Sequence, residues 1–160
     1  MRVRLIALVL ALVSLLTSCS RDKDEEVRME HCELGIKLSE RFERVDSVDY
    51  DLAYSDGKLV VGFTRISFTA AAAEEIPSSL SEMAFARLYA DKVDISRDLI
   101  KEYREFVYIT LLLTNGYRST EVFLRTHYAY FIVSFVHLEG GDWDLEETLR
   151  LTKDIYLINN

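Results

Sequence analysis

Two stretches of this chain, Val107–Leu113 (VYITLLL) and Tyr128–Val136 (YAYFIVSFV), are apolar at odd and even positions alike. Successive side chains of a strand point to opposite faces, so a sheet with one wet face alternates apolar with polar residues. Strands that lack this alternation need cover on both faces. A chain of 160 residues is long enough to build one such sheet with its covering layers. Its composition, 49% hydrophobic and 29% charged with 6 Gly and a single Pro, excludes a disordered tail, a collagen-like fibre and a small disulfide scaffold.

Around these strands the punctuation is regular. Gly35–Leu38 alternates, as does Val48–Tyr54 with Tyr50, Leu52 and Tyr54 on one parity. Asp56-Gly57 then predicts a hairpin into Leu59–Phe68. The apolar phase of that strand shifts from Val61 and Phe63 to Ile66 and Phe68, which implies either cover on both faces or a bulge near Gly62. Ile76-Pro77-Ser78-Ser79 closes the unit, and Ser79 with Glu82 reads as a capping box opening a helix to about Val93. Asp94–Glu102 can add a helical turn or two. Tyr103–Thr114, a type I′ turn at Asn115-Gly116, Tyr117–Arg125, a corner at Thr126-His127 and Tyr128–His137 form a three-strand meander. After Gly140-Gly141, Asp144 with Glu147 caps a last helix to about Leu157, with Leu145, Leu149, Thr152, Ile155 and Tyr156 inward. The expected fold is α+β: a largely antiparallel sheet of about five to six strands with helices packed on it, in one domain over residues 30–160. No internal repeat or second domain boundary is visible.

The N-terminus carries a different signal. Arg2 and Arg4 precede twelve uncharged residues, Leu5–Leu16 (LIALVLALVSLL). As a helix these span about 18 Å, short of the ~30 Å hydrocarbon core, so they read as a secretory signal rather than a permanent span. Leu16-Thr17-Ser18-Cys19 resembles the lipobox of bacterial lipoproteins. A thiolate is nucleophilic enough to take a diacylglyceryl group, which explains the need for Cys. The resemblance implies a signal peptide over residues 1–18, cleavage after Ser18, and lipidation of Cys19 with acylation of the new amino group. Each buried CH₂ contributes about 0.8 kcal/mol, so two or three chains anchor effectively permanently. Ser20–Glu26 (SRDKDEE) has nothing to bury, and residues 19–29 read as a flexible acidic tether. By the same resemblance Ser20 favours the outer membrane, and a Ser with acidic residues after the Cys marks surface export in some lineages. Loss of Arg2 and Arg4 with the signal leaves 17 basic against 27 acidic side chains, a net −10 that suits no nucleic-acid partner.

From Cys32 to Leu157 the chain resembles the PsbP/DcrB/Mog-like domains. The resemblance rests on the opening Leu34-Gly35-Ile36-Lys37-Leu38, the YDLAYSDGKLVV hairpin, the helix with Phe85 and Tyr89, and the final meander and helix. Ser39 stands where that family often has Pro. The resemblance implies an α/β/α sandwich and a binding or assembly role, with no shared active site to carry over.

Little in the sequence suggests catalysis. Cys32 is the only thiol besides Cys19, and His31 and Cys32, adjacent on a strand, cannot face one ion. His127 and His137 are isolated, and there is no nucleophile-elbow or phosphate-loop glycine pattern. The acidic residues of Asp22–Glu26 and Asp142–Glu147 fit a tether and a helix start. The sequence therefore predicts no catalytic residue, metal or cofactor. The strand arginines Arg65, Arg104, Arg118 and Arg125 either sit on edge strands or pair with Glu105 and Glu121. Alternatively Arg65, Arg118 and Arg125 form, with Tyr117, Tyr128 and Tyr130, a surface for a partner or an anionic ligand. Trp143 reads as a helix-start anchor or an exposed contact. The leading reading is a non-enzymatic lipid-anchored envelope protein that binds another envelope protein. A carrier with an apolar pocket between sheet and helix comes second, and a hydrolase, whose Ser, His and Asp need no adjacency in sequence, comes third.

Overall fold

The computed structural model describes residues 24–28, 34–138 and 144–157. Within them lie ten strands: β1 (Asp24–Arg28), β2 (Leu34–Ser39), β3 (Glu43–Val45), β4 (Leu52–Ser55), β5 (Leu59–Ser67), β6 (Lys101–Tyr103), β7 (Phe106–Leu112), β8 (Arg118–Arg125), β9 (Ala129–His137) and β10 (Ile155–Leu157). Three helices accompany them: α1 (Phe68–Ala73), α2 (Glu82–Lys92) and α3 (Leu145–Leu151).

Seven strands make the main sheet, in the order β3-β4-β5-β9-β8-β7-β6, and each neighbouring pair is antiparallel. The α+β class holds, and the strand number exceeds the expected five to six because the edges carry β3 and β6, three residues each. Such short, charged edges leave little ladder for another chain to pair with. β9 lies at the centre, and Ala129–Val136 are all buried, which accounts for its missing alternation. A second sheet, β1-β2-β10, is separate. Its first strand lies at Asp24–Arg28, inside the stretch read as tether.

Register assigns the two faces of the main sheet. On one, Val61 and Phe63 (β5), Phe131, Val133 and Phe135 (β9), Val122 (β8) and Tyr108 (β7) pack against Leu34, Ile36 and Leu38 of β2 and Leu149 of α3. On the other, Ile109 (β7), Phe123 (β8), Tyr130 and Ile132 (β9) meet Ala71 of α1 and Phe85 and Ala86 of α2. Burying a side chain of this size contributes roughly 1.5–3 kcal/mol. The sheet is therefore the middle layer, with helices on one side and the small sheet with α3 on the other.

Several boundaries differ from expectation for local reasons. The α2 N-cap is Ser81, whose hydroxyl accepts from the Ala84 N–H at 3.3 Å, and not Ser79. Phe68 opens α1 instead of ending a strand, capped by Ser67 through the Ala70 N–H at 3.1 Å. The segment 94–102 holds one 3-10 turn, Arg97–Leu99, then β6, and a tight turn at Arg104 (φ 56) divides β6 from β7. Asp144 caps α3 as expected, accepting from the Glu146 and Glu147 N–H groups, but the helix ends at Leu151. Ile155 and Tyr156 belong to β10, where the Tyr156 ring covers Gly35: a Cβ at Gly35 would lie 2.5 Å from it. At the Asp56-Gly57 and Asn115-Gly116 hairpins only the glycines take positive φ (86° and 85°), so neither turn is type I′. At the second, Leu113 and Tyr117 close a three-residue loop with Gly116 in the left-handed position.

Candidate functional site

The predicted arginine–tyrosine surface does not assemble. Arg65 lies opposite Phe131, and Arg118 opposite His137, so both point to the face covered by β2. Their partners lie six positions apart on β9, about 20 Å along the strand. Arg125 and Tyr130, opposite each other, point to the helix face. There the Arg125 guanidinium donates to the Ser78 carbonyl at 3.0 and 3.2 Å and lies over the Phe68 ring, fastening the helical layer. Tyr130 is 0% exposed and serves the core: it stacks on Phe85 at 4.3 Å, donates to the Pro77 carbonyl at 2.6 Å and accepts from the Leu80 N–H. Tyr128, 68% exposed, and half-buried Tyr117 sit in the turns at opposite ends of β8. Arg104 is a turn residue over the Tyr103 ring. Residues at strand ends look clustered in sequence and are spread by the sheet.

A polar group of a different kind sits in the middle of the helix face. One cross-strand row runs Ala53–Gly62–Ser134–Glu121–Ile109 through β4, β5, β9, β8 and β7. The adjacent row toward the Thr126 corner, Thr64–Ile132–Phe123–Val107, is mainly apolar. Glu121 is thus a carboxyl in a wall of aromatic and branched side chains, only 9% exposed. Among the described residues its Oε2 has no hydrogen-bond partner, nor does the Ser119 hydroxyl two residues along the same face. Two tyrosines close over this row. The Tyr50 ring lies on the β5 backbone, so that a Cβ at Gly62 would come within 2.6 Å of it, beside Ser134. Tyr50 is placed by Asp51, which binds β5 twice: its N–H donates to the Phe63 carbonyl and its Oδ2 accepts from the Arg65 N–H at 2.7 Å. Tyr89, on the last turn of α2, packs on Phe123 near Glu121.

The electrostatics of this cluster are one-sided. Burial raises the Glu121 pKa above its ordinary value, and the Tyr89 hydroxyl offsets part of the rise. Burial, followed by the Glu121 charge, pushes the Tyr89 hydroxyl well up. Tyr50 is raised by burial first, with the Ser134 hydroxyl opposing it and Glu121 and Asp49 adding to it. Among the described residues no cation pairs with Glu121. An unpartnered buried polar atom costs roughly 1–3 kcal/mol, more when charged. The alternative in which a strand arginine pairs with Glu121 is not met: parity puts Glu121 on the opposite face from Arg118 and four residues from Arg125.

The remaining predicted positions divide simply. His137 Nε2 lies 2.9 Å from the Thr148 hydroxyl, which itself donates to the Asp144 carbonyl, so the imidazole N–H donates and the contact docks α3. His127 is exposed beside Tyr128. Cys19, His31, Cys32 and Trp143 lie outside the described residues. Among the described residues no three His, Cys, Asp or Glu side chains group as metal ligands, and no helix is long and apolar enough to cross a membrane. The sequence matches no family model and no curated protein.

Proposed function

We propose that this chain is a lipid-anchored bacterial envelope protein whose domain acts as a non-enzymatic binding module for another envelope component. The carrying observation is the ordered series Arg2/Arg4, Leu5–Leu16 and Leu16-Thr17-Ser18-Cys19. Anchoring confines the domain to a membrane, which raises its effective concentration for a neighbour held there. Ser20 supports the outer membrane as the destination. The antiparallel sheet covered on both faces supports the finer reading of a PsbP/DcrB/Mog-like sandwich. In the native host, an alkyne-tagged fatty acid should label the protein, and Cys19→Ala should abolish the label and the envelope crosslinks. Unlabelled wild-type protein, or processing unchanged when the lipoprotein signal peptidase is inhibited, overturns the anchor.

A second reading, carriage of a small ligand, is favoured by one feature: the Glu121–Ser134 row beneath Tyr50 and Tyr89, which sets polar groups between the sheet and its helical layer. Native mass spectrometry of the full chain tests it, with a co-purifying ligand expected and only the unliganded mass counting against it.

A further inference from the structure

We propose that Glu121, with the rings of Tyr50 and Tyr89 over the row Gly62–Ser134, forms a binding site for a small organic ammonium ion. The inference stands apart from the lipid anchor. Glu121 Oε2 is buried and lacks a donor, and no lysine or arginine among the described residues pairs with it. What it lacks is a positively charged N–H group. Among the described residues the groups around the carboxyl add no positive charge: Tyr89 comes from α2, Tyr50 precedes β4 with the acidic Asp49 before it, and Ser119 and Ser134 lie on the sheet. Gly62 matters because its missing Cβ lets the Tyr50 ring lie against the strand, beside the carboxyl. Tyr50 and Tyr89, which cover the row, are each only half-buried.

Aromatic faces next to a carboxylate attract alkylammonium groups, through the ring quadrupole for the alkyl part and a charge-assisted hydrogen bond for the N–H. One carboxylate among hydroxyls is a poor cage for a hard metal ion, which takes six or more oxygen ligands. The tyrosine rings therefore select an organic cation. The same chemistry serves a free amine or the ethanolamine of a lipid headgroup. Because the buried carboxyl holds its proton more tightly than a free one, uptake of the cation expels that proton, and affinity rises with pH.

Calorimetric titration of the purified full chain in non-ionic detergent tests this, with butylammonium chloride, glycerophosphoethanolamine and butanol as probes. Butylammonium should bind saturably, more tightly at higher pH, with proton release read from buffers of different ionisation enthalpy. Glu121→Gln should weaken it by about tenfold or more, the loss of one charge-assisted contact. Saturation by butylammonium alone assigns a free amine, and saturation by glycerophosphoethanolamine as well assigns a headgroup. Butanol binding as tightly as butylammonium, an E121Q affinity close to wild type, or no saturable heat from either amine overturns the site. Should E121Q fail to fold, the wild-type protein still decides, because binding without proton release or pH dependence contradicts the role given to Glu121.

Discussion

A glutamate set among Phe123, Ile132 and Ile109 carries a stability cost that depends on pH. In the unfolded chain Glu121 ionises near 4.5, while burial raises its pKa in the fold. Below about 4.5 both states are protonated and no cost arises. As pH rises through the folded value the folded protein binds the extra proton, so stability falls. Glu121→Gln should therefore stabilise the protein by about 1–2 kcal/mol at about pH 8 and leave it unchanged near about pH 4. Urea denaturation at both pH values checks this, and an equal effect at the two contradicts ionisation in place. Gly62→Ala drives a methyl group into the Tyr50 ring, 2.6 Å away, and should cost about 1–3 kcal/mol by displacing it, measured the same way. Of the two readings the sequence allowed at Gly62, bulge or double cover, the unbroken register of β5 with β4 and β9 selects the second. The role of Gly62 was illegible because the ring it accommodates comes from a loop twelve residues earlier, and no periodicity records such an approach. Glu121 was hidden for a related reason: parity fixes its face but not what covers that face.

Elements fasten to the sheet through a few side chains, and these fastenings are separately testable. The 76–80 segment is held to β9 by the Tyr130 hydroxyl, which donates to the Pro77 carbonyl and accepts the Leu80 N–H. Tyr130→Phe keeps the stack on Phe85 but strands those groups, so a loss of about 1–3 kcal/mol is expected, with faster hydrogen exchange at the Leu80 amide than at the Ala129 amide. Uniform acceleration at both would contradict a local fastening. At the other end of β9, His137 donates to Thr148 on α3, and burial lowers its pKa below 6.5 although Glu147 and Asp56 oppose the shift. A lowered histidine contributes stability that is complete above about 6.5 and is lost as pH falls through the folded value. Amide exchange in α3 should therefore quicken as pH drops below 6.5, after correction for intrinsic rates, and His137→Gln should abolish that dependence. Long elements were the legible ones. β9, β8 and α2 span nine, eight and eleven residues, enough for apolar pattern and caps to register. β3, β6 and β10 have three residues each, less than two periods of alternation, and α1 is a six-residue Ala-rich helix with no apolar stripe. Their existence depends on what the larger sheet offers to pair with or cover.

At the scale of the whole molecule, the start of β1 constrains how an anchored domain could sit. If Cys19 carries the lipid, five Cα steps separate it from Asp24, at most about 18 Å in any conformation. Asp24 pairs with Ser39 of β2, and β2 packs through Leu34, Ile36 and Leu38 on the sheet face opposite α1 and α2. The small sheet and the helices are thus separated by the central sheet, about 20 Å at a layer spacing of ~10 Å. A short leash attached to the small sheet favours that side toward the bilayer, with the Glu121 site directed away from it. Spin-labelled headgroups should then relax a probe at exposed Lys37 of β2 more strongly than one at exposed Arg87 of α2. A long Gly-Ser insertion after Ser20 should remove the difference, because a flexible chain transmits no orientation. A stronger effect at Arg87 would reverse the assigned orientation, and a difference that survives the insertion would assign it to the surface of the domain itself rather than to the leash.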